Sequence, residues 1–312
     1  MTTDMKLVDL PGVGPATAEK LKEAGFGTVI SVAVAHPMNL VEAAGVSETV
    51  ARKIIAAARE SLKIGFVDGI TAEEEMNQKG FLISTNSKAI DNILAGGVKS
   101  GIITEVFGQY GSSKTQIAHQ LAVNAIHKSP EGIVVYIDTE NTFTPLRIRQ
   151  MSKAHNLDGD EVLSRIRVAR AHNSDHQTFL AENVEQIIQK GEKVLLLVVD
   201  SLTAHFRAEF IGRGTLADRQ QKINKHMSTL SKIAELYDVV VFVTNQITDN
   251  PGQLFGNPQK AIGGNIVGHN SKFRIYLRPG AKGTRVAKLV DSPFLPEAEA
   301  TYIITEDGVT DV

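Results

Sequence analysis

The densest chemistry in the sequence lies at Gly108-Gln109-Tyr110-Gly111-Ser112-Ser113-Lys114-Thr115, with Gln116 next. A glycine-bearing loop ending in Lys-Thr suits the phosphates of a nucleoside triphosphate. Backbone N–H groups cradle the phosphates, Lys114 neutralises the β and γ oxygens, and Thr115 holds Mg2+. Such a loop must follow a strand and open a helix, and residues 102–107 and 115–126 read that way. The usual pattern is G-x-x-x-x-G-K-[S/T], with glycine where this chain carries Ser113. Glycine there gives backbone freedom and close phosphate approach, so Ser113 predicts crowding and weakened nucleotide affinity or turnover. Three acidic or amide tips complete the set. Asp200 ends the apolar run 193–199 and suits Mg2+. Tyr136-Ile137-Asp138-Thr139-Glu140 places Glu140 beside the phosphates if its strand neighbours the first, where a carboxylate polarises the attacking water. The plainer reading of that tip is a capping cluster. Val243-Thr244-Asn245-Gln246 ends a further strand, and Gln246 can sense the γ-phosphate by hydrogen bond.

These groups need a scaffold. Apolar runs at 102–107, 133–137, 194–199 and 239–243 alternate with helical stretches at 115–126, 176–189 and 217–236. Near-continuous Val/Ile/Leu runs fit strands covered on both faces, hence an α/β fold with a mostly parallel sheet. Residues 272–277, 285–290 and 301–305 read as extra, antiparallel strands. Residues 1–61 read differently, as a small all-α domain. One helix runs over 16–24, after Pro15 and before Gly25; another runs over 48–61. Leu10-Pro11-Gly12-Val13-Gly14 sets a glycine turn before a helix, and 40–46 repeats that shape loosely. This is similar to a tandem helix-hairpin-helix, whose turn N–H groups approach nucleic-acid phosphate. A helical bundle that binds only protein is the alternative. Residues 62–82 read as a linker and 83–312 as the α/β core. In the linker, Glu73-Glu74-Glu75 reads as a solvated helix face, and Phe66 docks on its own domain or on a neighbour.

Composition bounds the answer. The chain has 312 residues, 22% charged and 42% hydrophobic, with net charge −2. That excludes disordered and collagen-like chains. With no cysteine, disulfides, thiolate zinc sites and cysteine nucleophiles are out. No apolar run nears the roughly 20 residues of a membrane helix, and the start shows no basic-then-apolar leader. A soluble intracellular protein is therefore expected. Mild acidity argues against a globally basic nucleic-acid binder and leaves room for local basic loops.

Taken together, the ordered motifs resemble the archaeal recombinases of the RecA-like strand-exchange family. The resemblance spans nearly the whole chain. It runs through residues 10–14, Thr104-Glu105-Val106-Phe107-Gly108, 136–140, Val199-Asp200-Ser201-Leu202-Thr203, Gly212-Arg213-Gly214 and Leu216-Ala217-Asp218-Arg219-Gln220-Gln221. It continues through 243–246, Ala261-Ile262-Gly263-Gly264 and Asp291-Ser292-Pro293. The resemblance implies a RecA-like P-loop ATPase core with ATP and Mg2+, and Glu140 as catalytic base beside Lys114 and Gln246. It implies that Arg147 stacks on adenine, as a planar guanidinium can. Phe66 and Gly69 resemble the Phe-x-x-Ala/Gly oligomerisation motif, in which one subunit's linker joins the next subunit's sheet edge. Asp291 and Pro293 resemble a cap over ATP on the adjacent subunit. Two loops would line DNA: 206–219, with Arg207, Arg213 and Arg219, and 247–264, ending at Gly263 and Gly264. Arginines there neutralise phosphate, against the alternative of a solvated face.

Departures mark this chain. Asn141-Thr142-Phe143-Thr144-Pro145-Leu146-Arg147 stands where the family pattern reads Gly-Thr-Phe-Arg-Pro-Glu-Arg, and Asn265 where members often carry His. His269 remains as a candidate relay of γ-phosphate state, or as a structural histidine. The implied function is an ATP-dependent DNA recombinase. It would form filaments on single-stranded DNA, pair it with homologous duplex and exchange strands in repair, in the cytoplasm and on the nucleoid of an archaeal-type cell. Single- and double-stranded DNA and further copies of the chain are its implied partners. The rivals are an attenuated or regulatory relative that binds ATP and DNA without efficient strand exchange, a RecA-fold motor, and a DNA-binding module with a dead nucleotide fold.

Overall fold

The structure is a computed structural model that describes residues 5–78, 80–249 and 259–312. It divides into two compact units, Met1–Lys79 and Gly80–Val312.

The first unit is helical. Helices α1 (Pro15–Glu23), α2 (Val29–Ala33), α3 (Pro37–Ala44) and α4 (Glu48–Ser61) enclose a core of Leu7, Leu21, Val32, Leu40, Ile54 and Ile55. Two of these helices are additions to the sequence reading. Thr28 caps α2, accepting from the Ser31 N–H, and His36 caps α3 ahead of Pro37. Gly45 closes α3 at φ +70° and Ser47 caps α4, so the second glycine turn spans 45–47 rather than 40–46. The segment 62–82 is partly helical over Gly69–Gln78, with the Asp68 carboxylate accepting from the N–H groups of Ile70 and Thr71. Glu73 and Glu74 are exposed there.

The second unit is built on a sheet. Its strands are β1 (Ile103–Gly108), β2 (Gly132–Asp138), β3 (Ile166–Arg170), β4 (Lys193–Asp200), β5 (Val240–Asn245), β6 (Phe273–Pro279), β7 (Arg285–Asp291), β8 (Ala298–Thr305) and β9 (Gly308–Asp311). Among the described residues these form one nine-stranded sheet, in the order β9-β8-β7-β6-β1-β5-β4-β2-β3. The run from β6 to β3 is parallel, and β7, β8 and β9 are antiparallel. One expectation needs correction here. Strand β6 was expected to be antiparallel, and it is antiparallel only to β7; it pairs parallel to β1, with Phe273 opposite Thr104. A helical connection from β5 to β6 makes that possible, because α8 (Gly264–Asn270) carries the chain back before β6.

Alternate residues of each central strand enter opposite cores. Val106, Tyr136, Val198 and Phe242 face one layer with Ile117 and Leu121 of α5 (Lys114–Lys128). Ile103, Ile137, Val199 and Val243 face the other, with Val184 of α6 (Ser174–Gln189) and Leu230 of α7 (Leu216–Tyr237). Burial on both faces explains the unbroken apolar runs, each large side chain adding about 1.5–3 kcal/mol. Parallel order also brings the carboxyl ends of β1, β5, β4 and β2 to one edge, where open α/β sheets bind ligands. No helix among the described residues is long and apolar enough to cross a membrane.

Candidate active site

A cavity of about 890 Å³ opens at that edge, lined by residues 108–116 together with Glu140, Thr142, Arg147, Asp200, Gln246 and Arg285. Gly108 ends β1 where the backbone turns sharply. A Cβ there would lie 2.2 Å from the Leu277 carbonyl oxygen and 2.7 Å from Ser112 Oγ, so no side chain fits. Because α5 begins at Lys114, the N–H groups of its first turn lack intrahelical partners and carry the positive end of the helix dipole. The Lys114 ammonium donates to the carbonyls of Gly108 and Gln109 at 2.9 and 3.0 Å. Burial lowers its pKa, opposed by the nearby Asp200 and Glu140 carboxylates. Ser113 adopts φ +72°, the left-handed region that favours glycine, and its hydroxyl lies 2.7 Å from that of Tyr302. Tyr110 is fully exposed at the loop tip.

Asp200, at the end of β4, gathers hydroxyls. Its Oδ2 accepts from Thr115 Oγ1 at 2.8 Å, Tyr136 OH at 2.9 Å and Thr142 Oγ1 at 3.2 Å, while Thr244 donates to Oδ1. A buried carboxylate beside a threonine hydroxyl next to a phosphate loop is a hard-oxygen donor set, and it fits Mg2+. Among the described residues no group of three or more His, Asp or Glu side chains is placed to hold a metal ion. The site would therefore need phosphate oxygens and water to complete the shell.

The acidic tip after β2 divides its work. Asp138 caps the turn, accepting from the N–H groups of Glu140, Thr142 and Phe143 at 3.1 Å each. Glu140 faces the cavity, and its Oε1 accepts from Ser201 Oγ at 2.6 Å and Gln246 Nε2 at 2.8 Å. The condition set for Glu140 fails, because β2 does not neighbour β1; β5 and β4 lie between them. Glu140 reaches the cavity because the turn after β2 is bonded to the end of β4, through Thr139 N–H to the Asp200 carbonyl at 2.8 Å. Asn141 stands at φ +60°, a conformation Asn tolerates better than most residues.

Arg147 lines the cavity with its guanidinium held by Gln116, Gln150 and the carbonyls of Thr305 and Glu306 at 2.6–3.1 Å. That fixes the plane of the guanidinium on the cavity wall. Leu146 is exposed, and the Thr144 hydroxyl turns back to the Thr142 carbonyl. Behind the loop, Phe143, Tyr136 and His119 form a ring cluster at 5.0–5.7 Å. Burial holds His119 neutral, with its pKa lowered to about 4.

The two loop regions have regular roots. The first runs through the helix Ala204–Glu209 and the turn Arg213–Thr215 into α7. Arg207 is exposed, Arg219 is half-buried with its Nε unpartnered, and the Arg213 side chain lies outside the described residues. The second was expected as a loop over 247–264. Its roots are instead an antiparallel pair, Ile247–Asp249 with Gln259–Ala261, and residues 250–258 lie outside the described residues. Gly263, at φ +96°, precedes α8, and Gly264 opens it exposed. His269 is exposed on α8 and does not line the cavity.

Asn245 joins these roots to the site. Its Oδ1 accepts from Thr203 Oγ1 at 2.7 Å and from the Gln246 N–H at 2.9 Å, and its Nδ2 donates to Glu105 and to the Ile262 carbonyl at 2.7 Å each. Buried Glu105 is in turn paired with Arg274 at 2.7 Å. Asp291 and Pro293 are exposed and lie outside the cavity of their own chain. Asp291 is six residues along β7 from cavity-lining Arg285, a span of about 20 Å. Phe66 is wholly exposed rather than docked on its own unit. Sequence reasoning missed Arg285, Thr142 and Tyr302. Thr142 lies within a quoted motif, but Arg285 and Tyr302 are far along the chain and only strand pairing brings them near.

Residues 77–312 match the Rad51 family model, and residues 4–60 match the SAM-like helix-hairpin-helix tandem. A relative in Methanococcus maripaludis, described as DNA repair and recombination protein RadA, is 47% identical over 319 residues, covering 98% of this chain and 99% of the relative. The chain belongs to the Rad51 family.

Proposed function

We propose that this Rad51-family chain is an ATP-dependent DNA recombinase, assembling on single-stranded DNA and exchanging strands with a homologous duplex. One observation carries the reading. A single cavity joins a phosphate loop, the Glu140 carboxylate and the Gln246 amide, and Asn245 ties Gln246 to the roots of both loops. The loop N–H groups and Lys114 take the phosphates, and Arg147 presents a flat face to adenine. Mg2+, on Thr115 and Asp200, would neutralise charge on the β and γ oxygens. Glu140 accepts the proton of the attacking water as ATP is cleaved to ADP and phosphate. Gln246 passes the change to the second loop through the strand pair it opens, and Asn245 passes it to the first.

The remaining roles concern neighbours and DNA. Arg207, Arg213 and Arg219, with the backbone at Gly263 and Gly264, contact single-stranded DNA phosphates. Base pairing, rather than side chains, reads the sequence. Phe66, wholly exposed, and Gly69 engage the next copy, and Asp291 and Pro293 cap its nucleotide, giving a heterologous, open assembly. The test is joint-molecule formation between single-stranded circles and homologous linear duplex, with ATP and with ADP. Exchange is expected with ATP alone. A folded, nucleotide-binding chain that gives none would overturn the reading.

A further inference from the structure

Ser113 occupies the loop position where the usual pattern has glycine, and its backbone takes the conformation that glycine takes freely, φ +72° and ψ 19°. A non-glycine residue is disfavoured there. Something must hold it, and it is not a helix cap, since the Ser113 side chain makes no capping bond to α5. The hydroxyl instead sits between two groups. It donates to the Ser112 carbonyl, and it lies 2.7 Å from Tyr302 OH. A serine hydroxyl has one proton, so with that proton on Ser112 the bond to Tyr302 is donated by the phenol.

Tyr302 is suited to that task. It is fully buried in the middle of β8, paired with Arg285 on one side and Asp311 on the other. Burial raises its pKa to about 12, so the phenol keeps its proton at any physiological pH. The strand that carries it is fixed by two neighbours, whereas the phosphate loop is a turn with few backbone bonds of its own. The bond therefore runs from a rigid element to a strained one.

We propose that Tyr302 is a positioning residue for nucleotide binding: its hydroxyl, through Ser113, locks the phosphate loop in the left-handed turn that presents the first N–H groups of α5. Ser113 and Tyr302 work as a pair, and together they replace the conformational freedom that glycine would supply. The expected crowding by Ser113 is thereby redirected, with its hydroxyl held by β8. This inference rests on the reading of the cavity as an ATP site.

The test is a double-mutant cycle on the full chain, with Ser113→Gly, Tyr302→Phe and both, read by binding of a fluorescent ATP analogue and by steady-state ATPase. Tyr302→Phe is expected to raise Kd and KM roughly five- to tenfold, the size of one buried hydrogen bond, with kcat within about twofold. In the Ser113→Gly background the same change is expected to move neither, because the hydroxyl has lost its partner. A merely structural Tyr302 would lower the melting temperature in both backgrounds and leave Kd alone; that result overturns the proposal, as do equal shifts in both backgrounds. Failure of the unsubstituted chain to bind the analogue overturns the reading of the site, and the lock with it.

Discussion

Two helices of the core start directly after a residue with left-handed backbone, and they reach that state by opposite means. Before α5 it is Ser113 at φ +72°, held through its hydroxyl. Before α8 it is Gly263 at φ +96°, where a Cβ would lie 2.4 Å from Val267 Cγ2. One corner uses a side chain as an anchor; the other works only because there is none. The first lines the cavity, and the proposed lock predicts that its anchor can be traded for glycine. The second sits at the root of the second loop, pressed on buried Val267, and has no such freedom.

The largest effect should separate chemistry from the second corner. Glu140→Gln keeps an acceptor for Ser201 and Gln246, so the fold and nucleotide affinity should survive while kcat falls roughly 10²–10⁴-fold. Single-turnover hydrolysis measures it, and a fall under tenfold would remove the chemistry from the first corner. Next, Gly263→Ala combines the left-handed penalty with overpacking on Val267, about 2–4 kcal/mol in all. Thermal melts should show a large drop for it and a small change for Ser113→Gly; equal drops would erase the contrast between the corners.

Two buried histidines back these regions, His119 in α5 and His226 in α7, each with its pKa lowered by burial to about 4 from 6.5. The unfolded chain binds protons that the folded chain refuses between those values. Stability should therefore be full above pH 6.5 and decline as pH falls toward 4, by as much as roughly 3 kcal/mol per histidine. Urea midpoints across that range check it, and a flat profile down to about pH 4.5 would mean neither is held neutral. The smallest effect belongs to exposed Arg207. Arg207→Ala should weaken single-stranded DNA binding a few-fold and lower the salt slope by about one, with no change in melting temperature.

How legible all this was depended on distance along the chain. The phosphate loop is contiguous, and its strand and helix adjoin it, so residues 108–116 could be read without a fold. Strands buried on both faces announced themselves through unbroken Val, Ile and Leu. Strand β3 did not, because Ile166–Arg170 interleaves arginine with small apolar residues and is largely exposed at the sheet edge. Helices α2 and α3 are too short for a periodicity to stand out, and only their caps mark them. Glu140 was placed through a strand adjacency that does not exist, and it reached the cavity through a bond to β4 instead. Tyr302 was out of reach: its partner lies 189 residues earlier, and nothing in Ala300-Thr301-Tyr302 signals a phosphate loop.

Asn245 carries a different lesson. Its carboxamide offers two protons and two lone-pair sites, and all four are spent, on Glu105, Ile262, Thr203 and Gln246. No look-alike can stand in. Aspartate would set a second negative group against Glu105 and strand the Ile262 carbonyl; leucine would orphan every contact; glutamine is one methylene too long for the same grip. Position 245 is thus a place where spelling matters to the letter, although it does not itself line the cavity.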